Sequence, residues 1–390
     1  MKQLFSISSY LAVKEIWRNR GRFLLVSLVI ALITLLVLFI AALGEGLGNG
    51  NREYISKLDG QLIVYQAKSD FLIQASRLGL DRLDDLRQVE GVADAAALGT
   101  STATLILGSG DATQKVALLG VEPNHVGEPL VSEGRQLGGT SVNEVLIDGN
   151  TAIRTGLKIG DNLVVRVTQG TEDVFFTLPV VGITPGQQYS LQPSIFVPFE
   201  TWDRIRPKSE AEVKITNPVA NVFLVKLIDP AQVEQVRQAI NSQVPKVEAA
   251  TIKEAIQALP GYSAQQSTLN TQGGFTLFIG ILVIGGFFQI QILQKVSQIG
   301  VLKAIGTANP IVAMAAVIQI ILITVIGVAI GGLLTYLFSL TFPPTVPIVF
   351  NGTTSALALL ALLVIGPLGG LVSIRYAVQI EPLKALGLSS

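Results

Sequence analysis

From Ala304 to Ile374 the chain carries no Asp, Glu, Lys or Arg. An uncharged stretch of this length exceeds one crossing of a bilayer, which takes about 20 apolar residues for roughly 30 Å of hydrocarbon. A Pro- and polar-rich break, TFPPTVPIVFNGTTS, divides it into two spans, 315–340 and 356–373. Two more apolar runs precede it, FLLVSLVIALITLLVLFIAALG at 23–44 and GGFTLFIGILVIGGFFQIQIL at 273–293. The first is too long for the apolar region of a signal peptide and lacks a small-residue cleavage site, so it reads as a span. Composition agrees: 49% of residues are hydrophobic, mean hydropathy is +0.54, and 14% are charged, against about 25% in an average soluble chain.

Most charges fall between Glu45 and Glu254. The expected fold is therefore an α-helical membrane protein with four transmembrane helices, plus a large α+β extracytoplasmic domain at 45–272 between helices 1 and 2. Lys14, Arg18, Arg20 and Arg22 precede the first span, Lys295 and Lys303 lie between the second and third, and Arg375 and Lys384 follow the fourth. Basic residues mark the cytoplasmic side. This places 1–22, 294–310 and the tail 374–390 inside, and the insert and the 341–355 loop outside. In 1–22, Leu4, Ile7, Tyr10, Leu11, Val13 and Trp17 fall on one half of a helical wheel. That pattern fits a helix lying along the inner interface, and a plain basic flank fits it equally.

The insert repeats a unit. QLIVYQ alternates as a strand, LDRLDDLRQVEG is an amphipathic helix ending at Gly91, and VADAAALGTSTATLIL returns as extended chain. Downstream, NVFLVKL, DPAQVEQVRQAINSQV and KVEAAT repeat strand, helix and strand, with Asp229 as N-cap and Pro230 at the first helical position. Two β-α-β units thus surround a β-rich middle, and two lobes are expected.

Catalytic signatures are missing. No G-x-x-x-x-G-K-[ST], H-E-x-x-H or G-x-S-x-G occurs, and there is no cysteine for thiol or cluster chemistry. The one histidine, His125, reads as a solvated loop residue, not a metal ligand. Asp81, Asp84, Asp85 and Glu90 read as a solvated helix face. No metal site and no substrate site is marked. Net charge is zero, so no nucleic-acid partner is indicated. The spans lack the carboxylate or Lys of an ion-coupled carrier. They hold Gln289, Gln291, Gln319, Thr324 and Tyr336, which read as interhelical hydrogen-bonding groups. The pairs Gly327/Gly331 and Gly366/Gly370 permit close helix packing, and either pair is available to a homodimer interface.

Such a chain needs energy from elsewhere, and the short loop at 294–310 is the place to receive it. Ile299, Leu302 and Ile305/Gly306 sit on one side of a short helix. That side can fill a groove on a soluble partner, with Gly300 and Gly306 allowing close approach. The same residues also read as a tight turn resting on lipid, and physics alone does not choose.

The segment QIGVLKAIGTAN resembles the E-I-G-[IVL]-L-[KR]-A-[IL]-G-A segment of MacB/FtsX-type (type VII) ABC transporter permeases. Ile299, Gly300, Leu302, Lys303, Ala304, Ile305 and Gly306 match it position by position; Gln298 stands where Glu is usual. LAVKEIWRNRGR, NTAIRTGLKIGDNL and IEPLKAL are similar to further family motifs in the same order, and GQLIVYQAKSDFLIQASRL resembles DevC-like glycolipid and HrtB-like haem exporters. The resemblance implies a coupling helix at Gln298–Gly306 that meets a separate ABC ATPase in two copies. It implies a homodimeric permease in the bacterial cytoplasmic (inner) membrane, and a periplasmic adaptor is among its expected partners. No cofactor is bound by this chain, since ATP and Mg belong to the ATPase. The implied activity is mechanotransmission that expels an amphiphile. A lipoprotein-releasing permease, an FtsX-like hydrolase regulator and a kinase-linked sensor share the architecture.

Overall fold

The computed structural model describes residues 2–108, 112–213, 218–342 and 348–379. They form two compact units, Leu47–Gln266 and the pair of segments Met1–Gly46 and Ser267–Ser390. Two helices open the chain, α1 (Lys2–Arg18) and α2 (Arg20–Ser56). α2 begins in the helical unit and ends in the other without a break, so it continues through the glycines that follow the apolar run.

In the sheet unit come β1 (Leu62–Gln66), β2 (Leu78–Gly79), α3 (Asp81–Arg87), β3 (Val92–Leu107) and β4 (Ala112–Val121). Then follow β5 (Glu133–Gly134), β6 (Val145–Asp148), α4 (Gly149–Thr155), β7 (Asn162–Gln169), β8 (Glu172–Thr184) and β9 (Ser194–Pro198). α5 (Phe199–Ile205), α6 (Glu210–Val213), β10 (Val219–Ala220), β11 (Val222–Leu227), α7 (Val233–Gln243), β12 (Val247–Thr251) and α8 (Ile252–Gln257) complete it. Local chemistry sets the boundaries. Asp148 caps α4 by accepting from Thr151 N at 2.6 Å, and Gly156 ends it at φ +74°. Asp229 accepts from Ala231 N where Pro230 opens a 3-10 turn, and Thr251 with Glu254 forms a capping box on α8.

The two β-α-β units do not flank the middle side by side; they interleave. The strand order is β12-β1-β11-β3 with every neighbour antiparallel. Each unit leaves a gap one strand wide, and a strand of the other fills it. The four-strand portion and the rest of the sheet share one strand. β3 continues past Leu98 to pair with β4 and β7, and β7 also pairs with β8. The strands β3-β4-β9-β6-β8-β7 therefore close into a ring, which leaves those strands no free edge. Alternate residues feed two cores: Leu62 and Val64 join one with Leu86, Leu105 and Trp202, while Ile63 and Tyr65 join another with Tyr54, Leu98 and Ala255.

The helical unit resumes with α9 (Tyr262–Leu293), α10 (Val296–Ala304), α11 (Asn309–Ser339) and α12 (Gly352–Gln379). α2, α9, α11 and α12 are each long and apolar enough to cross a membrane. α11 starts at Asn309, inside the expected loop, because Pro310 in a first turn lacks only a donor that the helix does not use. The helices meet through glycine. A Cβ on Gly327 would lie 2.6 Å from Ile30 Cβ, and one on Gly331 would lie 2.5 Å from Ala31 O, both on α2. Gly366 and Gly370 face Thr324 and Ile320 of α11, and Gly285 of α9 lies against Gly369 O of α12. Of the expected loop 341–355, positions 343–347 lie outside the described residues. So do positions 380–390 of the tail, with IEPLKAL and Lys384.

Candidate functional site

α10 is a nine-residue helix between α9 and α11. Its end is built by Gly306 at φ +95°: Gly306 N donates to Lys303 O and Thr307 N to Leu302 O, both at 3.0 Å. This is the Schellman pairing that satisfies the last carbonyls, and glycine adopts its left-handed backbone without strain. The turn is therefore a capped helix held at a fixed angle.

Its faces differ from the expectation. Ile299 packs with Val296 and Val312 around Ile292, Gly300 is buried, and Leu302 is half-buried. The apolar side formed by Ile299 and Leu302 thus rests on this protein's own helices. The outward face holds Ser297, Gln298, Val301, Ala304 and Ile305, with Ile305 76% exposed. Contact with Ile292 and Val312 on the flanking helices decides which side turns in, and a wheel drawn for α10 alone omits it. Lys303 is likewise committed: its Nζ donates to Val378 O of α12 at 2.6 Å, and burial pushes its pKa down. It ties α10 to the end of α12, where a cation meets the negative end of the helix dipole.

A polar node that the sequence did not disclose holds the other end. Glu15 of α1 pairs with Lys295, which precedes α10, and accepts from Gln319 Nε2 of α11. The Lys295 ammonium lies 5.3 Å from the centre of the Phe23 ring, and Arg22 Nη1 donates to Gln294 Oε1 at 2.9 Å. Glu15 is an acid inside a basic flank, and that misfit of sign was its only signal. α1 turns Ser8 and Ala12 against the protein and leaves Tyr10, Val13 and Trp17 exposed, with Ser8 Oγ bonded to Ile311 O.

The glycine pairs are used within one chain. Gly327/Gly331 close on α2 and Gly366/Gly370 on α11, so neither pair is left for the homodimer contact expected of it. Of the polar groups in the spans, Gln319 finds Glu15, whereas Gln289 Oε1, Gln291 Nε2 and Thr324 Oγ1 are buried without a hydrogen-bond partner. Tyr336 is exposed on α11.

In the sheet unit His125 is not merely solvated: its Nδ1 lies 2.9 Å from Asp94 Oδ1. Burial raises the Asp94 pKa, but hydrogen bonds from His125 and from Val126 N outweigh it and leave the carboxyl below its ordinary range. Asp81, Asp84, Asp85 and Glu90 are exposed, and among the described residues no cluster of three His, Cys, Asp or Glu side chains could hold a metal.

The chain thus has a long apolar helix, a sheet domain inserted after it, and three more helices long and apolar enough to cross a membrane, with a capped short helix among them. Residues 23–243 match the family described as MacB-like periplasmic core domain, and residues 271–382 match the FtsX-like permease C-terminal family. The chain belongs to the MacB/FtsX-type ABC transporter permeases, the non-catalytic membrane subunits of these transporters. It is similar to the hemin transport system permease protein HrtB of Staphylococcus haemolyticus, at 26% identity over 377 residues, 97% of this chain and 99% of that one. An uncharacterized ABC transporter permease of Mycobacterium bovis is 23% identical over 389 residues, with the same shares covered. Among solved structures, the periplasmic region of MacB from Actinobacillus actinomycetemcomitans gives a TM-score of 0.37 at 12% identity, covering 51% of this chain and 91% of that one.

Proposed function

We propose that this permease is the membrane half of an ATP-driven exporter in the bacterial cytoplasmic membrane, with its sheet domain outside and α1 and α10 at the inner surface. The observation that carries the reading is α10. It is capped at Gly306, tied to α12 through Lys303, joined to α1 through Lys295 and Glu15, and it presents Val301, Ala304 and Ile305 outward. A force applied to that face reaches three helices at once. The driver is a separate ABC ATPase, two copies on a two-fold permease dimer, whose interface lies on surfaces other than the four glycines.

Transmission through the helices is supported by their length. α2 has 37 residues and α9 has 32, which at 1.5 Å per residue is about 55 and about 48 Å. Both exceed the roughly 30 Å of hydrocarbon. The cargo class is an amphiphile, and relatives named for hemin transport favour a flat, apolar molecule with acidic groups. A periplasmic adaptor belongs to the same reading.

The test is Ile305→Asp. A carboxylate set into an apolar contact should cost at least about 2 kcal/mol, about a thirtyfold loss of ATPase affinity. Co-purification of the ATPase and ATP turnover in nanodiscs should both fall, while membrane insertion persists because the side chain is 76% exposed. Normal binding and turnover would remove the coupling role from this face.

A further inference from the structure

A cavity of about 360 Å³ opens among α1, α9, α10 and α11. Its apolar lining includes Ile292, Ile299, Leu302, Ile311, Val312 and Ile320, and its charged lining is Lys14, Arg18 and Lys295 against a single carboxylate, Glu15. Glu15 is committed to Lys295 and Gln319, so Lys14 and Arg18 supply an excess of positive charge. The Lys14 ammonium meets a neutral group, the Tyr10 hydroxyl at 3.4 Å. Gln291 also lines the cavity; it is 5% exposed, and its Nε2 is buried without an acceptor. A buried donor without a partner is a standing cost that an entering acceptor relieves.

A cavity lined by Lys14, Arg18 and Lys295 together with branched aliphatic side chains suits a molecule with an anionic headgroup and hydrocarbon chains. We propose that this cavity binds an anionic phospholipid. Its phosphate lies at Lys14 and Arg18, an ester oxygen accepts from Gln291 Nε2, and acyl carbons run along Phe288, Ile292 and Ile320. The leaflet, though not the site, rests on the orientation proposed above. Ile299 and Leu302 belong to α10, so an occupied cavity also braces that helix against α1.

The full permease, purified with its ATPase and delipidated, is titrated with phosphatidylglycerol, phosphatidylcholine or inorganic phosphate and read by native mass spectrometry. Wild type should take up phosphatidylglycerol about tenfold more tightly than phosphatidylcholine, as two basic side chains near a headgroup suggest. The double variant Lys14→Gln/Arg18→Gln should lose that preference, weakening phosphatidylglycerol far more than phosphatidylcholine. Gln291→Leu should weaken both lipids several-fold. Equal uptake of the two lipids by wild type and the double variant would overturn the proposal. Saturable binding of inorganic phosphate that displaces phosphatidylglycerol would assign the site to a free anion and overturn the lipid. A cysteine at Ser297 should react with an impermeant maleimide only after permeabilisation. Labelling in intact cells alongside an intact lipid preference would overturn the orientation and leave the site standing.

Discussion

The two units use glycine to opposite ends. In the helical unit Gly285 lies against the backbone of Gly369, and Gly331 against Ala31 O: one main chain is brought onto another. In the sheet unit Gly99 and Gly120 are direct partners across β3 and β4, and together they clear a floor for the Trp202 indole, where an added Cβ would come within 2.4 Å. The solvent explains the contrast. Lipid tails are as apolar as leucine, so helices gain little by burying large side chains against each other and gain by close backbone contact. Water rewards burial of a whole indole, with its N–H satisfied by Ser101 Oγ at 3.0 Å.

The sharpest way to break that comparison is at adjacent glycines. Gly331→Leu should destabilise the permease by about 3 kcal/mol or more, since its new side chain meets backbone at Ala31 as well as Thr34. Gly332→Leu, one residue on, faces open space and should leave the unfolding midpoint in detergent near wild type. Matching losses at both positions would mean that close helix approach is not what holds α2 to α11. Next comes Gly120→Ala, expected to cost about 1–3 kcal/mol because the Trp202 ring must shift. In a Trp17→Phe background the remaining emission reports Trp202 alone, and it should move to the red. An unmoved spectrum would show that the ring has room to spare.

The smallest effect concerns charge at a helix start in the aqueous unit. The backbone N–H of Thr251 holds Glu254 below the ordinary carboxylate range, against the opposing effect of its partial burial; the Thr251 hydroxyl and Arg237 add to the lowering. With its pKa lower folded than unfolded, its contribution is full above the ordinary glutamate range and is lost as pH falls through the folded value. Glu254→Gln keeps a capping side chain and loses the charge. The variant should be less stable by about 0.5 kcal/mol at neutral pH, a gap that closes below about pH 4. A gap unchanged down to pH 3 would locate the effect in packing instead.

What could be read from the sequence follows the range of the interaction. The alternation in QLIVYQ and the Asp229-Pro230 start are set within a few residues, and the structure has β1 and the 3-10 turn there; the helix expected to end at Gly91 ends earlier, at Arg87, and Gly91 turns the chain into β3 at φ +93°. The side on which Ile299 packs, the Glu15 node and the partners of Gly327 and Gly331 were not legible. The side of Ile299 is decided by Ile292 and Val312 on the flanking helices, and the others by segments far along the chain: Glu15 and Gln319 are 304 positions apart. Interleaving of the β-α-β units escaped for the same reason, because either order satisfies the local pattern and only sheet pairing distinguishes them.

That pairing has a consequence in time. β1 begins at Leu62, and its two neighbours, β11 and β12, both lie beyond residue 221. A ribosome adding about 5–20 residues per second delivers them on the order of ten seconds or more after β1. Throughout that interval a strand whose residues Leu62–Tyr65 end up buried has both hydrogen-bonding edges open, and β3, completed early, pairs with β11 and not with it. The nascent domain therefore has a vulnerable period written into its topology, during which a holding chaperone would find β1 and a protease would find its flanks.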